Sequence, residues 1–145
     1  MMHKMIKVNE IPADTEPGFA TKLDKLAGVL EDVQFAILYG SYASGSVRKD
    51  SDVDLAIMYP SPVDPSRLIR LVGEVSAVFC RDVDLIDLNR AGPILQMQAL
   101  KNGIPVVIND QDAFERFRMY TPSRYFDFKL RRRPVEEALL AWGAA

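Results

Sequence analysis

The tetrapeptide Asp-Val-Asp-Leu occurs twice, at residues 52–55 and again at 82–85. Each copy opens a short apolar run, VDLAIM at 53–58 and VDLIDL at 83–88, which reads as a strand. Side chains alternate between the two faces of a strand, so Asp52 and Asp54 share one face while Val53 and Leu55 point the other way. The same holds for Asp82 and Asp84 against Val83 and Leu85. If the two valine-leucine pairs enter one core layer, Asp54 and Asp84 emerge on the same side of one sheet, and Asp87 lies on the opposite face. The fold must then bring two carboxylates together. That selects Asp84 over Asp87 as the third acid of a cluster, with Asp82, nearer the strand start, as the weaker contender.

The rest of the pattern is compatible with such a sheet. Phe19, Leu23, Leu26, Ala27 and Leu30 recur at helical spacing, with Gly28 a mild weakness. Val33 to Tyr39 (VQFAILY) reads as a strand ended by Gly40 and Ser41. Pro65 can open a helix carrying Leu68, Leu71, Val72, Val75 and Phe79 on one face. A further helix over Ile94 to Leu100 stops at Asn102-Gly103, and Ile104 to Ile108 is a fourth strand, placed at an edge or strand start by Pro105. From Asp112 the chain reads as helical, interrupted by Pro122 and Pro134. The expectation is an α/β or α+β domain with a small mixed sheet flanked by helices: a lead at 1–16, then one domain over 17–145 with a helical C-terminal segment at about 112–145.

Composition narrows the chemistry. The 145 residues suffice for a single core, and the net charge of −2 provides no overall field for nucleic acid, so no direct nucleic-acid partner is expected. One cysteine, Cys80, excludes an internal disulfide and a cysteine-built zinc site. The single histidine, His3, falls in the lead segment, which disfavours histidine-based catalysis. No apolar run reaches the ~18 residues that cross a bilayer, and MMHKMIKVNEIPADTEP lacks the apolar stretch of a signal peptide. A cytoplasmic protein with no membrane association is expected.

Three carboxylates on adjacent strands, Asp52, Asp54 and Asp84, suit Mg²⁺, a hard cation commonly shared with substrate phosphates. Gly40 allows close backbone approach, and Ser41 offers a hydroxyl and an N–H to a triphosphate. A short helix beginning within residues 42–46 would favour an anion at its N-terminus. This is not a P-loop, since GxxxxGK[ST] is absent. Singly these features are bland: an Asp-x-Asp is often a solvated loop, a Gly-Ser only a turn, and Asp84 a strand-end residue bonding backbone. Their conjunction carries the reading.

The stretch GSYASGSVRKDSDVDL resembles the signature of the nucleotidyltransferase superfamily that includes DNA polymerase beta. It is most similar to the minimal nucleotidyltransferase (MNT) proteins, antitoxin partners of HEPN-domain toxins. The family pattern of Gly-Ser, ten residues, Asp-x-Asp is met by Gly40, Ser41, Asp52 and Asp54, and Ser51 fits the Ser-Asp pairing. VDLIDLN resembles the strand bearing the third carboxylate, which maps to Asp84; QALKNGIPVVIND and SRYFDFKL resemble the later elements, so the likeness runs over roughly residues 20–130. Ser44 departs from the pattern, in which an arginine commonly follows the alanine; this bears on nucleotide affinity rather than on the metal ligands.

The resemblance implies a Mg²⁺-dependent enzyme moving AMP from ATP onto a hydroxyl, in the antitoxin branch a tyrosine of the HEPN ribonuclease. Asp52 and Asp54 would bind both metals. Asp84 would complete one metal site and assist deprotonation of the acceptor, while Gly40, Ser41 and Ser51 would hold the nucleotide. Arg48 or Lys49 could reach phosphate, although a solvated loop charge is the simpler reading. Two alternatives stand beside this: an antitoxin acting by contact alone with an idle site, and transfer to a small molecule such as an aminoglycoside, for whose usual extra helical domain 145 residues leave little room.

Between Phe114 and Arg133, seven basic residues face two acidic ones, interleaved with six aromatics. Aromatics packed on the sheet with arginines in solvent, a partner interface, or a nucleic-acid surface each fit that composition.

Overall fold

In the computed structural model, residues 18–40 and 52–143 are described, and the expected short helix within 42–46 lies outside them. Their elements run in the order α1 (Phe19–Val29), β1 (Phe35–Tyr39), β2 (Val53–Met58), α2 (Pro65–Phe79), β3 (Val83–Asp87), α3 (Pro93–Asn102), β4 (Ile104–Ile108) and α4 (Gln111–Gly143). The strands form one mixed sheet in the order β3-β2-β1-β4. β1 pairs antiparallel with both β2 and β4, while β2 pairs parallel with β3. The parallel pair needs a crossover, and α2 supplies it. The expected mixed α/β sheet flanked by helices is what forms.

Alternation along the strands divides the core into two layers. Leu38, Val53, Leu55, Ile57 and Leu85 pack against α1 and α2, where Leu23, Leu26, Val75 and Phe79 are buried. Phe35, Ile37 and Ala56 face the other way, onto Ala99 of α3 and Phe114 and Phe117 of α4. Phe35 anchors this second layer, with its ring centroid 5.2 Å from those of both Phe114 and Phe117. α3 sits tightly on β1 because Gly103 has no side chain: a Cβ there would run into the Ala99 carbonyl and Ile37 Cγ2. Pro105 lies in β4, an edge strand, at the point where the pairing with β1 becomes irregular.

Two expectations change. β1 begins at Phe35 rather than Val33, because the Val33 N–H turns back to the Leu30 carbonyl at 3.3 Å. The segment beyond Asp112 is one continuous helix, α4, with Pro122 and Pro134 inside it, rather than an interrupted one. A proline removes the hydrogen bond to the carbonyl four residues earlier. Those carbonyls belong to Arg118 and Leu130, both on exposed positions where water can satisfy them. Arg132 and Arg133 also pair with Glu136 and Glu137 across the second proline, at 3.7 and 2.9 Å.

The loop from α1 to β1 is tied to α2 by the Arg67–Asp32 pair at 2.6 Å and to the end of β4 by Asn109. Asn109 Nδ2 donates to the carbonyls of Leu30, Glu31 and Val33 at 3.0, 3.2 and 2.9 Å. Asn109→Ala should therefore lower stability by about 1–3 kcal/mol. Urea unfolding monitored by circular dichroism measures this, and an unchanged midpoint would show that the clamp contributes nothing.

Candidate active site

The parallel pairing of β2 and β3 sets the two Asp-Val-Asp-Leu copies in register, with Val53 opposite Val83, Asp54 opposite Asp84 and Leu55 opposite Leu85. Val53 is fully buried and Leu85 nearly so, which fixes the faces of both strands. Asp54 and Asp84 are thereby held side by side on neighbouring strands, ~4.8 Å apart at the backbone. Asp87 falls on the opposite face, buried. Its carboxylate accepts the N–H groups of Val63 and Asn89, each at 3.0 Å, and pairs with Arg90 at 3.5 Å. It anchors a loop. Asp82 is exposed, and its carbonyl accepts the Val53 N–H.

Gly40 closes the site from the β1 side. It leaves the strand with φ +72°, a conformation costly for other L-residues, and a Cβ there would overlap Oδ2 of Asp54. The glycine thus serves both the turn and the space that the carboxylate occupies.

The electrostatics are those of a cluster of like charges. Asp54 is pushed above the usual carboxylate range by burial first, then by the nearby Asp84 and Asp52. Two carboxylates ~5 Å apart at an effective dielectric of ~20 repel by about 3 kcal/mol. Among the described residues, no ion pair reaches Asp52, Asp54 or Asp84.

Asp52 precedes β2 and is exposed at the rim, close enough to act on Asp54. Among the described residues, no three His, Cys, Asp or Glu side chains converge into a cage that could enclose a metal ion. Asp54 and Asp84 are the paired centre, with Asp52 outside it. Ser41 and Ser51, together with Ser44, Arg48 and Lys49, lie outside the described residues. The all-oxygen donors suit a hard divalent cation, whose charge would offset the repulsion that Asp84 and Asp52 exert on Asp54.

Sequence reading missed Tyr39. It sits opposite Asp54 in the β1–β2 register, half-buried, and its phenol is held protonated far above its ordinary range by burial, Asp54 and Asp84. Its position immediately before the Gly-Ser pair, on the same strand face as Phe35 and Ile37, was the available signal.

The family model described as polymerase beta, nucleotidyltransferase, matches residues 21–112. The chain belongs to this nucleotidyltransferase family. A curated relative, the protein adenylyltransferase MntA of Shewanella oneidensis, is 29% identical over 126 residues, covering 84% of this chain and 90% of the relative. A crystal structure of a toxin-antitoxin with AMP-PNP superposes with a TM-score of 0.74 and 25% identity, over 81% of this chain and 98% of that one. A tri-AMPylated Shewanella oneidensis HEPN toxin in complex with MNT antitoxin gives 0.69 at 24% identity, over 83% and 98%, and shares the fold.

Within this nucleotidyltransferase, Gly40→Ala tests the steric argument. It should cost about 1–2 kcal/mol from the positive φ alone and displace the Asp54 carboxylate. Divalent-cation affinity by titration calorimetry should fall further than stability does. A variant that loses stability but keeps full affinity would separate the glycine from the site.

Proposed function

We propose that this chain is a protein adenylyltransferase of the antitoxin kind, which moves AMP from ATP to a hydroxyl, a tyrosine, of a HEPN ribonuclease toxin and so neutralises it. The observation that carries the reading is the register-matched pair Asp54 and Asp84, packed against Gly40 in a chain of this family. The adenylyltransferase relative and the toxin-antitoxin structure with AMP-PNP support the nucleotide and the partner.

Asp54 and Asp84, with Asp52 at their rim, would hold Mg²⁺, which when bound neutralises phosphate charge and lowers the pKa of an adjacent hydroxyl. The chain's own residues do the rest. Asp84, the more solvent-exposed of the central pair, takes the proton of the acceptor hydroxyl. The hydroxyl oxygen forms a bond to the α-phosphorus of ATP, and the bond from that phosphorus to the bridging oxygen breaks. Pyrophosphate leaves with the electron pair. Gly40, Ser41 and Ser51 hold the phosphates. Tyr39, neutral throughout, places a phenol beside the carboxylates without adding charge.

Asp54→Asn should reduce AMP transfer to purified HEPN toxin at least ~100-fold, since even groups supporting a metal ligand contribute 10–100-fold. Label from α-labelled ATP retained on denatured toxin is the readout. Toxin neutralised equally well by the inactive variant would mean inhibition by contact.

The raised pKa of Asp54 gives a further expectation. Protons compete with the cation for this carboxylate, so Mg²⁺ affinity should begin to fall at a higher pH than for an ordinary aspartate of pKa ~3.9. Calorimetric titrations from about pH 7 to about pH 4 measure this. Stability without metal should move oppositely and rise as pH falls through the Asp54 pKa, because the folded state binds the proton more tightly than the unfolded state.

A further inference from the structure

α4 outruns the domain it belongs to. Phe114, Phe117 and Thr121 are buried, and beyond Thr121 none of its residues is buried. From Pro122 to Gly143 the helix extends ~33 Å at 1.5 Å per residue. The buried face nevertheless continues in sequence. Phe114, Thr121, Phe128, Val135 and Trp142 stand seven residues apart, with Phe117, Tyr125, Arg132 and Leu139 between them. The first members of this stripe are covered by the domain, whereas Val135, Leu139 and Trp142 are 55%, 57% and 82% exposed.

A strict seven-residue repeat drifts ~20° per heptad around a straight helix, so a stripe of this kind stays in contact only with a second helix that supercoils about it. The stripe on the far side, Met119, Phe126, Leu130 and Leu140, is also exposed, but none of its members is buried and it continues no docked face. The charge of the segment selects the partner. Residues 122–143 carry five basic side chains against three acidic, a net +2, while the chain as a whole is −2, leaving the remainder at −4. Arg132 lies within the stripe itself, its guanidinium 5.5 Å from the Phe128 ring centroid. A second copy would set +2 against +2 and, in a twofold arrangement, Arg132 near its own mate. A helix flanked by carboxylates meets no such conflict.

We propose that the exposed part of α4 is a docking rail for an acidic amphipathic helix of a partner protein. In the function proposed above, on which only this identification rests, that partner is the AMP acceptor.

Trp142 is the sole tryptophan of the chain and lies in the rail, so its emission reports occupancy directly. The test titrates the full chain with two synthetic four-heptad helices sharing a leucine-isoleucine stripe, one flanked by glutamate and the other by lysine. The expected result is a blue shift of Trp142 emission, with the glutamate peptide binding at least ~10-fold more tightly at low salt and the difference narrowing as salt rises. Leu139→Asp, at an exposed position, should abolish the shift while leaving circular dichroism unchanged. Equal binding of both peptides, or of neither, overturns the proposal. So does a dimer in sedimentation with Trp142 already buried, which would make a second copy the occupant. A monomer whose Trp142 is already shielded would place the chain's own residues there, with the same consequence. The assay contains no nucleotide, so an inactive transferase site would leave its outcome unaltered.

Discussion

Parallel pairing of β2 with β3 is the constraint on which the site depends. Val53, Leu55 and Leu85 are buried on one face of these strands. Burying such side chains stabilises by about 1.5–3 kcal/mol each, which together exceeds the ~3 kcal/mol of repulsion between two carboxylates ~5 Å apart. Hydrophobic register therefore wins, and Asp54 and Asp84 are carried into proximity that they would not choose. A slip of β3 by one residue would send Asp84 into the layer that holds Val53 and Leu55 and turn Leu85 out of it, so the register has no near competitor.

Gly40 makes that proximity usable. The carboxylate of Asp54 occupies the volume that any other residue's Cβ would take, and the positive φ turns the chain away from β1 at the same point. Tyr39, one residue earlier, lies on the β1 side and remains uncharged because burial first, and then both carboxylates, oppose its ionisation. The site is thus built at one end of three adjacent strands. Its neutral members come from β1, and its charges come from β2 and β3.

Much of this was legible in the sequence because it follows from local alternation. The repeated Asp-Val-Asp-Leu fixes which side chains share a face, and that alone separated Asp84 from Asp87; the structure gives the latter to a loop anchor. Tyr39 offered only its place before the Gly-Ser pair, since an aromatic at a strand end reads as core until its cross-strand neighbour is known. The continuity of α4 was hidden for a related reason. A proline disfavours a helix least where water can reach the carbonyl it orphans, and the exposure of Arg118 and Leu130 is known only from the structure. The position of Asp52 depends on the strand entry rather than on any pattern. Alternation put it with Asp54, but preceding β2 it stands exposed at the rim.

The uneven charge of the chain has a consequence for how site and rail work together. An acidic body carrying a carboxylate cluster repels an acidic partner, and the cationic segment of α4 attracts it. Such a field favours orientations that bring a partner's negative charge to the helix rather than to the carboxylates. Repulsion at the body then weighs against any pose that turns the partner's carboxylates toward Asp54 and Asp84. A hydroxyl, being neutral, enters that end of the sheet without this cost. The same negative potential that strains the carboxylates thereby discriminates between acceptor groups, and it does so before any specific contact is made.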